Sequence, residues 1–233
     1  MSDFTEIYNS QSERYQELIT YEDADGNLLP AIEGITPLQG KRLLDLGTGT
    51  GRIPLLVKHL TTHITGIDLH WDMLREHKNQ QKKTKESWGL LQADFRFLPF
   101  RNNLFDLITA GWSISAIISG EKSHWKKQIG FVLKEIHRTI KPDGAIIIIE
   151  TMSTASLTPT PPHEDLAVYY SWLEDEWGFT PQTIQTDYQF GNLDQAVENI
   201  GFFFGSEMAD VVRDNHWVRV PEWTGIWNKI VPG

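Results

Sequence analysis

The sequence contains no cysteine, which removes disulfide frameworks, thiolate nucleophiles, cysteinyl zinc sites and iron–sulfur clusters from consideration. Long apolar runs are missing too. The longest, Ala145 to Ile149, falls far short of the ~20 residues that a bilayer-spanning helix needs. The start, Met1-Ser2-Asp3-Phe4-Thr5-Glu6, lacks the basic residues and apolar stretch of a secretory leader. A soluble, cytoplasmic protein with no membrane partner is therefore expected. Positive charge is scarce in one region. Residues 151–233 hold 12 acidic side chains against only Arg213, Arg219 and Lys229, so this part carries −9 of the net charge of −10. Nucleic-acid binding wants a basic stripe and is disfavoured.

From residue 41 onward, short apolar runs alternate with helical patterns, the signature of a largely parallel sheet covered by helices. Strands are expected at Arg42–Leu46, His63–Ile67, Trp88–Gln92, Phe105–Ala110 and Ala145–Glu150. The clearest helix runs from about Glu121 to Ile140, where Trp125, Ile129, Val132, Leu133, Ile136 and Ile140 form one apolar stripe. Lys141-Pro142-Asp143-Gly144 stops it. Ile7 to Ile19 reads as a helix outside the alternation. After the fifth strand come a proline-stiffened linker at Thr158–Pro162, helices from Glu164 to Trp177 and Asn192 to about Asn215, and strands at Thr183–Phe190 and Thr224–Val231.

Arg42-Leu43-Leu44-Asp45-Leu46-Gly47-Thr48-Gly49-Thr50-Gly51-Arg52 sets three alternate glycines where the first strand ends and a helix begins. Glycine lets a ligand approach the backbone, and a helix N-terminus offers free N–H groups. A nucleotide site is the natural reading, although such a turn can also be a purely structural strand-to-helix connection. The spacing argues against a dinucleotide. Counting from Gly47 and Gly49, the third glycine of the fingerprint is replaced by Arg52. Asp45, two residues before Gly47, would repel a pyrophosphate but suits a ligand with an ammonium and a sulfonium, which points to S-adenosylmethionine.

Here the sequence resembles the class I S-adenosylmethionine-dependent methyltransferases, particularly their small-molecule branch. Asp45-Leu46-Gly47-Thr48-Gly49-Thr50-Gly51 matches the family's first motif and Ile64-Thr65-Gly66-Ile67-Asp68 its second, while Leu91-Gln92-Ala93-Asp94-Phe95 resembles the third-strand motif. Leu98-Pro99-Phe100 with Phe105-Asp106-Leu107-Ile108, and then Leu133 to Glu150, resemble the fourth-strand and fifth-strand regions in order. The resemblance implies a Rossmann-like, doubly wound α/β fold with a seven-stranded, mostly parallel sheet, an antiparallel last strand and an inserted helical lid. It implies S-adenosyl-L-methionine as cofactor. Gly47, Thr48, Gly49 and Gly51 would hold the methionine part, with Asp45 orienting its ammonium. Asp68 would bind the ribose hydroxyls, Leu69 would pack on the adenine, and Asp94 and Phe95 would meet the adenine amino group and ring. Gly111 and Trp112 would face the methionine moiety and the methyl group. Tyr8 to Tyr15 resembles an N-terminal helix whose aromatic residues cover the cofactor, with Asn9 where the family has an acid. The expected division is an N-terminal helical cap (1–37), a cofactor-binding core (38–150), and a C-terminal part of the same domain carrying the acceptor lid and last strands (151–233).

Methyl transfer from a sulfonium is an in-line displacement that alignment alone can accelerate strongly, and no side chain announces itself as a catalytic base. His70 reads better as a helix cap than as a base, and His163 and His216 carry no stronger sign of catalysis. His59, His63, His77, His124 and His137 are expected to face solvent. No metal-ligand spacing is present, so no metal is expected. Glu150 and Thr151, at a strand end, are expected to line the same cleft as Trp112. Arg52 suits either a ligand carboxylate or solvent. Trp217, Trp223 and Trp227, with Phe202-Phe203-Phe204, read as aromatic core ahead of an acceptor cage. The expected activity is methyl transfer to a small molecule. Its alternatives are a non-catalytic binder or partner subunit for S-adenosylmethionine or adenosylhomocysteine and, further off, an aminopropyl transferase of the same fold. No pattern in the sequence encodes the acceptor or the oligomeric state.

Overall fold

The computed structural model describes residues 4–120 and 124–233. The first three residues of the expected Glu121–Ile140 helix therefore lie outside the described residues, as does the start of the chain at 1–3. In chain order the elements are α1 (Phe4–Ser10), α2 (Ser12–Ile19), α3 (Leu28–Ile35), β1 (Arg42–Leu46), α4 (Arg52–Val57), β2 (His63–Asp68), α5 (Trp71–Thr84), β3 (Gly89–Gln92), β4 (Phe105–Gly111), α6 (Ala116–Gly120), α7 (Trp125–Thr139) and β5 (Ile140–Thr154). They continue as α8 (Glu164–Asp175), β6 (Thr180–Gln185), β7 (Tyr188–Gln189), α9 (Leu193–Phe204), α10 (Ser206–Asp214), β8 (Arg219–Val220) and β9 (Glu222–Ile230).

Seven strands form one sheet in the order β3-β2-β1-β4-β5-β9-β6. All are parallel except β9, which runs antiparallel between β5 and β6. The middle of β5 shows why the sheet is buried on both faces. Ile146 and Ile148 pack into one core with Leu44, Ile108, α7 and α8, while Ile147 and Ile149 pack on the other side with Leu43, Leu107, α3 and α4. A central parallel strand needs this continuous apolar run. The expected stripe on α7 faces the first core, with Ile129, Val132, Leu133 and Ile136 wholly buried.

Several elements depart from the sequence reading. The expected Ile7–Ile19 helix is two helices, broken at Gln11, and the expected Asn192–Asn215 helix breaks at Gly205, where φ is +94°. The Thr183–Phe190 strand also divides. Thr186 and Asp187 leave the sheet because their carbonyls accept the N–H groups of Asp23 and Ala24, and Tyr188–Gln189 pairs instead with β8. Lys141–Gly144 bulges out of β5, whose register on β4 steps from Phe105↔Ile140 to Leu107↔Ala145. The C-terminal aromatics do build core: Tyr170 stacks on buried Trp227 at 4.2 Å. Among the described residues, no helix is long and apolar enough to cross a membrane.

Candidate functional site

Strand order reverses at β1, which pairs with β2 on one side and β4 on the other. At such a switch point the connections leave in opposite directions and open a crevice beyond the carboxyl ends of the strands. Three sequence features converge there: the glycine turn after β1, the acid at the end of β2, and Gly111-Trp112 at the end of β4.

The turn is tight. Gly47 and Gly51 have φ of +62° and +102°, a region that side chains disfavour. A Cβ on Gly47 would lie 2.3 Å from Ser113 Cβ, and one on Gly51 would lie 2.5 Å from His77 Nε2. His77 is wholly buried, contrary to the expectation of solvent exposure. Its Nε2 accepts the Trp88 Nε1–H at 3.0 Å, and burial lowers its pKa to about 4. A neutral ring thus supports the glycine turn from behind. The signal that could have revealed this is the i, i+3, i+4 relation of His77 to Met73 and Leu74 on α5, both of them buried.

The two acids of the motifs lie on either side of the turn. Asp45 is buried beneath it and accepts the Thr109 hydroxyl at 2.6 Å. Burial raises its pKa to about 7, against the lowering effect of the Thr109 and Thr48 hydroxyls. Asp68 accepts the Gly49 N–H on one oxygen and the His70 N–H on the other, both at 2.8 Å. The oxygen that meets Gly49 keeps a further lone pair for a ligand, while the other also lies 3.3 Å from His70 Nδ1. His70 stands at the N-cap of α5 with no capping bond from its side chain.

Above this rim lie α1 and α2. The Tyr8 ring is 5.7 Å from His70 and 5.8 Å from Tyr15. Trp112 takes a left-handed backbone (φ +50°) and donates its N–H to Ile149 O at 2.7 Å. The Arg52 guanidinium lies over its ring at 3.8 Å and pairs with Glu22 at 2.7 Å. At the end of β5, Glu150 is buried and accepts the N–H and hydroxyl of Ser115 at 3.0 and 2.7 Å. Burial raises its pKa to about 7.

The remaining expected residues are placed less tightly. Leu69 is 53% exposed. Phe95 lies against the glycine turn, its Cε1 3.7 Å from where a Gly47 Cβ would sit. The Asp94 carboxylate is gripped by Arg96, whose Nε reaches both oxygens at 3.0 Å and whose Nη2 reaches one at 2.6 Å. That contact holds its pKa below the usual carboxylate range. His163 and His216 are both exposed. Thr109, Ser115, Glu22 and Glu222 were not anticipated, because each joins the site through strand register or loop packing rather than through local sequence.

The residues present fit an adenosyl amino-acid ligand: a buried, half-bonded carboxylate suits an ammonium, Asp68 has a free lone pair for a diol, and the turn has no Cβ at Gly47 or Gly49. Residues 44–148 match the methyltransferase domain family. The malonyl-[acyl-carrier protein] O-methyltransferase of Legionella pneumophila is 24% identical over 148 residues, 63% of this chain and 49% of that protein. The demethylmenaquinone methyltransferase of Staphylococcus epidermidis is 23% identical over 221 residues, 88% of this chain and 85% of that one. The chain spans about half the length of the Legionella relative, and 18% and 59% of the next two. The YcgJ protein of Bacillus subtilis shares the fold, with a TM-score of 0.58 at 17% identity over 88% of this chain and 98% of its own. Motifs, sheet order and the match over residues 44–148 agree in likening this chain to the class I S-adenosylmethionine-dependent methyltransferases.

Proposed function

We propose that this chain transfers a methyl group from S-adenosylmethionine to a small-molecule acceptor in the cytoplasm. The observation that carries the reading is the Gly49 N–H to Asp68 bond, which joins the glycine turn and the β2 acid into one rim at the switch point. The cofactor supplies an electrophilic methyl group on a sulfonium. In this reading the Gly47–Gly51 backbone holds its methionine part and Asp45 takes its ammonium, so that a carboxyl held partly neutral by burial ionises on binding. Asp68 accepts the ribose hydroxyls, Leu69 and Phe95 flank the adenine, and the exposed edge of Asp94 meets its amino group. Trp112, fixed by its bond to Ile149, presents its ring beside the transferred methyl, with Gly111 behind it. Tyr8 and Tyr15 exclude water from above.

A small acceptor is favoured because residues 151–233 carry −9 and would repel nucleic acid or other polyanions. Two relatives are named for a malonyl-carrier acceptor and a demethylmenaquinone, which supports small acceptors without selecting one. The test is incubation with methyl-labelled S-adenosylmethionine and a fractionated small-molecule extract. Label in a discrete product is expected. Cofactor binding with no transfer to any fraction would assign the chain as a non-catalytic binder.

A further inference from the structure

Beside Trp112 lies a buried polar cluster that cofactor binding does not use. Arg52 pairs with Glu22, whose side chain is only 3% exposed, and Glu22 also hydrogen-bonds Tyr188. The neighbouring Asp187 accepts the Glu222 N–H at 3.1 Å, and the Glu222 carbonyl accepts the Thr186 N–H at 2.9 Å. Asp187 is held in turn by Arg219 at 2.8 Å. One chain of contacts therefore runs from α4 through the loop after α2 to the start of β9.

Two polar atoms in this cluster are buried without a hydrogen-bond partner: Arg52 Nη2 and Glu222 Oε2. Glu222 as a whole is 1% exposed. An unmet buried donor or acceptor typically costs about 1–3 kcal/mol, so these two, on side chains that feel each other's field, point to a ligand that would satisfy them. Resting on the methyltransferase reading, we propose that Arg52 and Glu222 form the acceptor subsite and hold a hydroxyl group on a flat, unsaturated ring.

The chemistry of the pair selects this class. Arg52 can only donate, and Glu222 offers a carboxyl oxygen. A hydroxyl meets both at once, accepting from Arg52 and donating to Glu222. A carboxylate would satisfy Arg52 but would face Glu22, Glu222 and Asp187. An ammonium would satisfy Glu222 but leave the guanidinium unmet and opposed by like charge. Burial and the charge of Glu22 push Glu222 well up, while Arg52 and the Thr154 hydroxyl act the other way; a neutral partner suits that balance. Around the cluster stand Trp112, Tyr188 and Tyr15, the last within the fields of Arg52 and Glu22. These flat surfaces favour a ring. Access requires α2 to part from the body, and its ion pair to α9, Arg14–Glu198, is exposed on both sides. Such pairs hold weakly.

The experiment titrates phenol, anisole, benzoate and benzylamine into the full chain saturated with S-adenosylhomocysteine, followed by ligand-observed NMR. Phenol is expected to bind at least tenfold more tightly than the other three, and Glu222→Met or Arg52→Met to erase that preference while adenosylhomocysteine still binds. Equal binding of phenol and anisole, tighter binding of benzoate or benzylamine, or a phenol preference that survives both substitutions would overturn the subsite while leaving the cofactor reading intact. Failure of adenosylhomocysteine itself to bind would overturn the cofactor reading and the subsite with it. If thermal unfolding shows either variant to be unfolded, the ranking of the four probes on the unaltered protein decides.

Discussion

Replacing Asp45 by Asn should stabilise the empty protein and weaken its hold on the cofactor. Burial lifts the Asp45 pKa from 3.8 to about 7 in the folded state. The folded chain thus binds this proton more tightly than the unfolded chain, and stability is lost as pH rises through the interval between the two values. Below 3.8 both states are protonated and the aspartate costs nothing; above 7 both are ionised and the full cost is present. At about 1.36 kcal/mol per pKa unit, the shift amounts to about 4 kcal/mol. Asparagine keeps an oxygen for the Thr109 hydroxyl and carries no charge at any pH. Urea unfolding of both proteins should therefore show the variant ahead by about 1–2 kcal/mol near pH 5 and about 4 kcal/mol near pH 8. Taking the difference between the two proteins cancels the parallel titration of Glu150. The assay also separates stability from function, because calorimetry with S-adenosylmethionine near pH 7 should show proton release in the parent, weaker binding in the variant and no such release there. A difference in stability that is flat with pH, or a variant less stable at pH 8, would refute the burial argument.

Asp68→Ala should weaken cofactor binding by about 1.5–3 kcal/mol, the range for hydrogen bonds to a charged group, while circular dichroism shows the fold retained; unchanged affinity in calorimetry would count against the ribose role. Gly51→Ala forces a side chain into φ +102° with its Cβ 2.5 Å from His77 Nε2, and a loss of about 2 kcal/mol or more is expected in urea unfolding. Ile148→Ala, at a wholly buried position between Ala110 and Trp227, should cost about 2–5 kcal/mol, measured in the same way.

Much of the fold was legible because the signals in the sequence were local. Apolar runs marked β1, β2, β4 and the inner part of β5 to within about two residues, and the α7 stripe marked its buried face. The errors have two causes. The break at Gly205 follows from its own left-handed φ of +94°, whereas the exit of Thr186 and Asp187 from the sheet is decided by partners far along the chain: Thr186 accepts a hydrogen bond from Asp23 and donates one to Glu222. Periodicity carries no information about such partners. The helix α3 was missed for a different reason, since Leu28–Ile35 contains both Pro30 and Gly34. Proline is tolerated in a first helical turn, but in sequence it reads as a stop.

The candidate site divides along the same line. Gly47, Gly49, Asp45 and Asp68 lie within two short motifs, and the strand-to-helix turn that joins them is built from neighbours in sequence. Glu222 is the opposite case. In sequence it is one acid among 12 in the last third, next to Pro221 and outside the expected Thr224–Val231 strand. Only the antiparallel insertion of β9 between β5 and β6 sets it opposite Thr154 and within the field of Arg52 and Glu22. The acidity of that third therefore has two physical meanings. Most of its carboxylates are solvated and raise only a diffuse barrier to anions, whereas Glu222, stripped of water, can discriminate between single functional groups. The step from net charge to specificity thus passes through burial: an exposed carboxylate is screened within about 8–10 Å at moderate salt, and a buried one is not.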